Sequence, residues 1–371
     1  MPIRPCRPAR ASLLMLAAML TAISLPSTAE PSSVATTNLF DQSALHSSLA
    51  TRSLMLSVAR AGGHLVAVGE RGFILISDDN GTNWRQVDSP VSVTLTRVRF
   101  ATATDGWAVG HAGVILHTTD GGLNWTLQLD GIRAAQIALE TARSETGPDA
   151  QIHQENAQRL VEDGPDKPFL NLHCTDARHC LVIGAYGLAF ATDDAGAHWQ
   201  FIGDRMENPS ALHLYDIAAV GNSLFIAGEQ GLLLRSSDGG EHFETLQSPA
   251  AGTLFGLIAT RDRGLLAFGL RGKAYRSDDM GEHWQALPAT EPATLTAGLR
   301  LIDGSLVLAD ESGALHISRD QGMHFQNAPL TEPSYLTDLV ELPGGQLAVS
   351  GSHGVLRVAS DNLVRSSGRE Q

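Results

Sequence analysis

Cysteine and lysine are nearly missing from this chain of 371 residues, which has three cysteines and only two lysines, Lys167 and Lys273. Arginine therefore carries the cationic side, and 26 Lys plus Arg against 40 Asp plus Glu leave a net charge of −14. No local cluster of basic residues offsets that balance, which excludes a free polyanion such as nucleic acid as a partner. No apolar run reaches the ~20 residues that a spanning helix needs, so the protein is not expected to cross a membrane itself. A Gly-rich phosphate loop, a nucleophile elbow and a metal triad are also missing, and no cofactor or metal is expected.

The longest apolar run, Ala11 to Leu25, follows Arg4, Arg7 and Arg10 and precedes the small residues Ser27, Thr28 and Ala29. That order reads as a cleaved secretory signal over 1–29, with an uncleaved anchor as the alternative. Residues 30–371 then form one domain with 23 bases, 40 acids and a net charge of −17. Cys6 leaves with the signal. Cys174 and Cys180 remain as an even pair in a periplasmic or extracellular space, which is oxidising.

Glycine, at 37 residues, is abundant, and it marks a repeat. A Gly, alternating apolar residues and then mostly Ser or Thr recur as GFILIS (Gly72), GVILHT (Gly113), GLAFAT (Gly187), GLLLRS (Gly231), GKAYRS (Gly272), GALHIS (Gly313) and GVLRVA (Gly354). Successive glycines lie 41, 74, 44, 41, 41 and 41 residues apart, so a unit is about 41 residues and the long gap holds an insertion. Each unit reads as four short strands, in the second copy Leu95 to Phe100, Gly106 to Val109, Val114 to Thr118 and Trp125 to Leu129. One such sheet cannot bury both faces, whereas sheets stacked radially bury each other. The expectation is an all-β, seven-bladed β-propeller of four-stranded blades, with a linear solenoid as the weaker alternative. Ser33 to Leu49 or Asn362 to Arg365 is expected to supply the outer strand of blade seven.

Six of the seven third strands run into S/T-x-D-x-G-x-x-W/F. Its Asp and aromatic positions are Asp79 and Trp84, Asp120 and Trp125, Asp194 and Trp199, Asp238 and Phe243, Asp279 and Trp284, and Asp320 and Phe325. The pattern describes a hairpin turn in which Asp accepts backbone N–H groups, Gly takes a positive φ and the aromatic folds back over the strands. A calcium loop is disfavoured because no copy supplies the distal bidentate acid. Four of the five tryptophans are spent in these turns, and Trp107 falls on a second strand, so no sugar-stacking platform is evident.

These Asp-boxes (BNR repeats), the signal segment and the turns VGERG (Val68 to Gly72), VGHAG (Val109 to Gly113), IGAYG (Ile183 to Gly187), AGEQG (Ala227 to Gly231) and FGLRG (Phe268 to Gly272) carry a family resemblance. Over roughly residues 50 to 360 the chain resembles the photosystem II stability/assembly factor family of seven-bladed propellers. The resemblance implies a non-catalytic protein-binding assembly or stability factor for a membrane protein or membrane complex. The departure is the insertion 130–168 between blades two and three. Ile132, Ala135, Leu139 and Ala142 fall on one side of a first helix there, and Ile152, Leu160 and Val161 suggest a second closed by Gly164-Pro165. It is similar to the version in bacterial relatives associated with RND-type envelope transporters.

In a propeller, turns between strands two and three open on the same end of the channel as the blade-to-blade links. Glu70, Arg71, His111, Tyr186, Glu229, Gln230, Arg271 and His353 fall on those turns and are the candidate partner-binding residues. Arg71 and Arg271 suit a carboxylate or a chain terminus. The insertion emerges at the same end, positioned to roof the channel mouth. An Asp-box glycosidase of sialidase type is the competing function. Glu70, Glu229 and Glu311 are its only candidate carboxylates, yet the arginine cluster and the Arg-Ile-Pro phrase of sialidases are missing from the exported chain. Cys174 and Cys180 lie at the two ends of one predicted hairpin. Strand alternation sends His173 and His179 to the other side, which favours a disulfide over a metal site.

Overall fold

A computed structural model describes residues 39–288, 292–330 and 334–359, so the signal segment lies outside the described residues. Among these residues the strands form seven antiparallel sheets, six of four strands and one of three, each ordered as in the chain. The first strands are Met55–Ala61, Leu95–Phe100, Phe169–Cys174, Leu214–Val220, Leu254–Ala259, Leu295–Arg300 and Leu336–Leu342. Each packs beside the next, and Leu336–Leu342 packs beside Met55–Ala61, which closes the ring around a channel.

The second strands are apolar runs rather than alternating ones, as in Leu65 to Val68 and Leu265 to Phe268, because both faces of a blade are covered. A separate apolar core fills each gap between blades. Val66, Ile74 and Ile76 of blade one meet Val98, Ala108 and Leu116 of blade two, and Leu315 and Ile317 of blade six meet Leu339, Leu347 and Val349 of blade seven.

The Asp-boxes repeat one hydrogen-bond pattern. Ser77 Oγ accepts the Gly81 N–H at 2.8 Å and Asp79 Oδ1 accepts the Asn83 N–H at 2.8 Å, as Ser318 and Asp320 do for Gly322 and His324 at 2.8 and 2.9 Å. The box glycines lie between φ +81° and +100°. The residue four beyond each Asp also turns its side chain back to the carboxylate, Asn83 and Asn124 in the first two boxes and His198, His242, His283 and His324 in the rest. Trp125, Trp199 and Phe243 are buried, whereas Trp84, Trp284 and Phe325 are half-buried.

Three expectations change. Blade seven shows three strands among the described residues, and Asn362 to Arg365 lie outside them. The described part of Ser33 to Leu49 lies along blade one, where the Ala44 N–H reaches Ser89 O at 3.1 Å and the Ser47 N–H reaches Gln86 Oε1 at 3.0 Å. In the insertion, helix α1 (Gly131–Ser144) is capped by Asp130 and buries Ala134, Ala135, Ala138, Leu139 and Ala142, but Ile132 is exposed. Helix α2 (Ala150–Asp163) buries Ala157 and leaves Ile152 and Val161 exposed, because its packing surface is the narrow strip facing α1. The hairpin packs on Phe201 in the outer strand of blade three, and its first helix also contacts the rim turn His111–Gly113 of blade two.

Candidate functional site

Seven equivalent hydrogen bonds place the predicted turns at the link end of the channel. The first residue of each turn donates its N–H to a carbonyl just before the first strand of its own blade: Glu70 to Leu54, His111 to Thr94, Ala185 to Pro168, Glu229 to His213, Leu270 to Thr253, Glu311 to Thr294 and Ser352 to Tyr335, at 2.8 to 3.2 Å. In five turns the next residue is a non-glycine in the left-handed region, Arg71, Ala112, Tyr186, Gln230 and Arg271 at φ +54° to +57°. L-residues pay about 1 kcal/mol or more for that conformation. The turn aims the side chain outward, and Arg71, Tyr186, Gln230 and Arg271 are exposed, as are His111 and His353 elsewhere on the rim.

The rim glutamates behave differently. Glu70, Glu229 and Glu311 fold back to accept the N–H of Leu54, His213 and Thr294 at 3.2, 3.2 and 2.9 Å, completing a reciprocal pair with each blade's own link. Their carboxylates are latches within separate blades and do not converge on a bond to be cleaved. His353 is likewise held, its Nδ1 lying 3.0 Å from Ser352 Oγ.

Inside the rim every first strand carries a register shift at its second residue. The bulged residues are Leu56, Thr96, Leu170, Tyr215, Phe255, Thr296 and Thr337. A bulge re-aims its side chain, here at the channel mouth. Thr96 and Thr337 spend their hydroxyls on Phe169 O and Met55 O of the following blade, at 2.7 Å each. Tyr215 and Phe255 meet edge to face at 5.1 Å, and His213 links them to Tyr186 through contacts of 6.2 and 4.7 Å. The Tyr186 N–H donates to His213 Nδ1 at 2.8 Å, and Lys167 Nζ sits 5.2 Å from the Tyr186 ring centroid. Burial, then the nearby Glu229, push the Tyr215 hydroxyl above its usual range.

One residue deeper lies a polar belt that the repeat did not announce: Ser57, Arg97, Asn171, Asp216 and Asp338, with Arg99 beside it. Three of these side chains accept an N–H from the next blade, Asp338 from Val58 at 3.3 Å, Ser57 from Val98 at 3.2 Å and Asp216 from Leu257 at 2.8 Å, while Asn171 donates to Asp216 Oδ1 at 2.6 Å. Arg97 and Arg99 meet Asp338 at 3.2 and 3.0 Å. Burial alone raises the Asp338 pKa, but Arg99, Arg97 and the Ser57 hydroxyl outweigh it and hold the group at about 2. Asp216 lies farther from the arginines, so burial prevails and its carboxyl is pushed up.

Cys174 and Cys180 pair directly across their hairpin and are joined as a disulfide. At the opposite end of the ring, where blade seven has no Asp-box, a cleft of about 690 Å³ lies between the turns Ile302 to Ser305 and Leu342 to Gly345. None of the predicted site residues lines it.

The family model described as "Photosynthesis system II assembly factor YCF48" matches residues 41–136 and 151–309, which include most of the blades and all five left-handed rim residues. The chain belongs to the YCF48 family. A segment of 77 residues is 34% identical to the photosystem II assembly lipoprotein Ycf48 of Synechococcus sp. (strain CC9902), covering 21% of this chain and 23% of that relative, so the chain matches about a quarter of its length. The solved structure of YCF48 bound to D1 peptide covers 87% of this chain and 99% of its own, at TM-score 0.62 and 19% identity. The virginiamycin B lyase of Staphylococcus aureus superposes with TM-score 0.63 and 12% identity over 85% of this chain and 97% of its own. These likenesses establish the fold, and a fold that also carries a lyase leaves the function to be argued from the site. Among the described residues no helix is long and apolar enough to cross a membrane.

Proposed function

We propose that this YCF48-family chain is an exported, non-catalytic propeller that binds a segment of a membrane protein at the link end of its channel. It acts there as an assembly, stability or accessory factor for an envelope complex, an RND-type transporter being the partner class that the insertion suggests. The carrying observation is the rim itself: four exposed side chains, Arg71, Tyr186, Gln230 and Arg271, held outward by left-handed turns that glycine would fill at less strain. Arg71 and Arg271 have no ion-pair partner among the described residues, which suits them to a partner's carboxylates. The YCF48 structure solved with a D1 peptide supports peptide capture by this fold, and the separate engagement of Glu70, Glu229 and Glu311 argues against a glycosidase.

A pull-down from detergent-solubilised envelope tests the reading. The mature protein captures a membrane protein, Arg71→Ala/Arg271→Ala loses it, and Glu241→Ala at the Asp-box end retains it. Equal capture by the rim variant, or hydrolysis of aryl sialosides by the mature protein, overturns the proposal.

A further inference from the structure

The seven bulged positions at the channel mouth are not equivalent. Two of their threonines cap carbonyls of the following blade, and Thr296 donates to Ala309 O at 3.3 Å, so that side of the mouth is internally satisfied. Leu170, Tyr215 and Phe255, on three consecutive blades, offer only half-buried apolar surface and one phenol. Tyr186 and Leu270, 56% and 37% exposed, extend that surface on the rim above blades three and five. The result is an aromatic crescent covering about half of the mouth.

Its charge surroundings are as uneven. Both lysines of the chain stand on this arc. Lys167 lies over Tyr186 and is neutralised by Asp163 and Asp166. Lys273 is exposed next to Arg271 on blade five, at a position that blades one to three fill with buried Phe73, Val114 and Leu188. Among the described residues neither Arg271 nor Lys273 has an acidic partner, and the neighbouring rim acids Glu229 and Glu311 are each held by a backbone N–H. In a protein of net charge −14, two adjacent cations without partners beside an open aromatic surface define a local complement.

Building on the rim-binding reading above, we propose that the crescent is the specificity element of the mouth and takes an extended peptide segment. An aromatic or large aliphatic side chain of that segment seats on Tyr215 and Phe255, and an acidic residue beside it meets Arg271 and Lys273. Apolar burial in a rigid aromatic cleft supplies most of the affinity, as at the anchors of other interfaces, and the cations fix the direction of the segment. On the opposite half of the mouth the threonines are internally bonded and Leu56 alone offers half-buried apolar surface, with no aromatic ring and no unpaired lysine beside it among the described residues.

The test uses the mature protein and three fluorescein-labelled 12-residue synthetic peptides with a Gly/Ser background. One carries Phe with two flanking Asp, the second has Ser in place of Phe, and the third has Lys in place of both Asp. Fluorescence polarisation is expected to show the first peptide binding at least tenfold more tightly than either of the others. Tyr215→Ala/Phe255→Ala removes the preference for Phe, Arg271→Ala/Lys273→Ala removes the preference for Asp, and Glu241→Ala, at the Asp-box end, keeps both. Tyr215→Leu/Phe255→Leu retains the Phe preference and guards against a folding defect, which melting temperatures check directly. Equal binding of the Phe and Ser peptides, no binding of any of them, or an unchanged preference in the Tyr215→Ala/Phe255→Ala protein overturns the crescent. The envelope pull-down with Arg71→Ala/Arg271→Ala decides the rim reading separately, so capture there alongside failure here leaves that reading standing.

Discussion

Arg99 of blade two and Asp338 of blade seven meet at 3.0 Å, so the carboxylate of the last blade reaches past blade one to hold the second. Ser57 of blade one donates to the same Asp338 oxygen at 2.7 Å, and Val58 adds its N–H. Three blades thus converge on one carboxylate at the seam where the chain closes its ring. Asp338→Ala leaves Arg97 and Arg99 without their common counter-charge in a confined channel. Breaking such a pair costs about 3 to 5 kcal/mol. Urea unfolding of the mature protein measures it, and a loss below 1 kcal/mol means that the seam is held by apolar packing alone.

The same carboxylate sets an acid limb. Its folded pKa, about 2, lies below the ordinary 3.8, so its contribution is complete above the ordinary value and is lost as pH falls toward 2. Asp79, Asp194 and Asp279 follow the same course, each held at about 2 chiefly by the backbone N–H of Asn83, His198 or His283. The protein should therefore lose stability steeply between about pH 4 and pH 2, and Asp338→Asn should flatten that limb. Melting temperatures across this range provide the measurement. An Asp338→Asn curve parallel to that of the wild type contradicts the assignment.

The blades and their hairpins were legible because they repeat. A glycine about every 41 residues and six Asp-boxes mark the turn positions, and a turn needs the same residue types wherever it occurs. The rim side chains could be located for the same reason, since they are read by offset from Gly72, Gly113, Gly187, Gly231 and Gly272. The belt and the crescent were not legible, because they vary from blade to blade. The third residue of the first strands runs Ser57, Arg97, Asn171, Asp216, Gly256, Ala297 and Asp338, and a search for similarity discards such variation. A second alignment of the same strands, asking where the copies differ, is the signal that finds Arg97, Asp338, Tyr215 and Phe255. Ile132 was misplaced because α1 turns its alanines inward, and small residues let it approach blades two and three closely.

Under the export proposed above, Cys174 and Cys180 are predicted to be oxidised. The loop between them is short, so losing the bond through Cys174→Ser/Cys180→Ser lowers stability by only about 2 kcal/mol. Mass spectrometry after alkylation without reductant checks the pairing, and two modified thiols refute it.

Burial separates the box aromatics. Trp125, 7% exposed and donating its indole N–H to Gly122 O at 2.9 Å, fills the gap between blades one and two, so Trp125→Ala costs about 3 to 5 kcal/mol. Trp84 is half-buried, and its indole N–H has no partner among the described residues, so Trp84→Ala is expected to cost less. Denaturant midpoints rank the two, and the reverse order would show that the boxes are not held by this packing.

Gln230 and Arg271 hold φ at +54° and +57° in turns whose next residue is already a glycine. If these side chains contributed to folding, their loss would destabilise the blades. If they are kept for the partner, glycine should relieve the backbone. Relief of about 1 to 2 kcal/mol is offset by the greater freedom that glycine gains in the unfolded chain, so Gln230→Gly and Arg271→Gly should leave stability unchanged or raise it by up to about 1 kcal/mol. Arg271→Gly should at the same time weaken capture of the envelope partner, since the turn persists but the guanidinium is gone. Thermal melts paired with the pull-down separate the two roles. A drop in stability of more than 1 kcal/mol in either variant would make the left-handed side chain a support of the blade and would remove the strain argument for the rim.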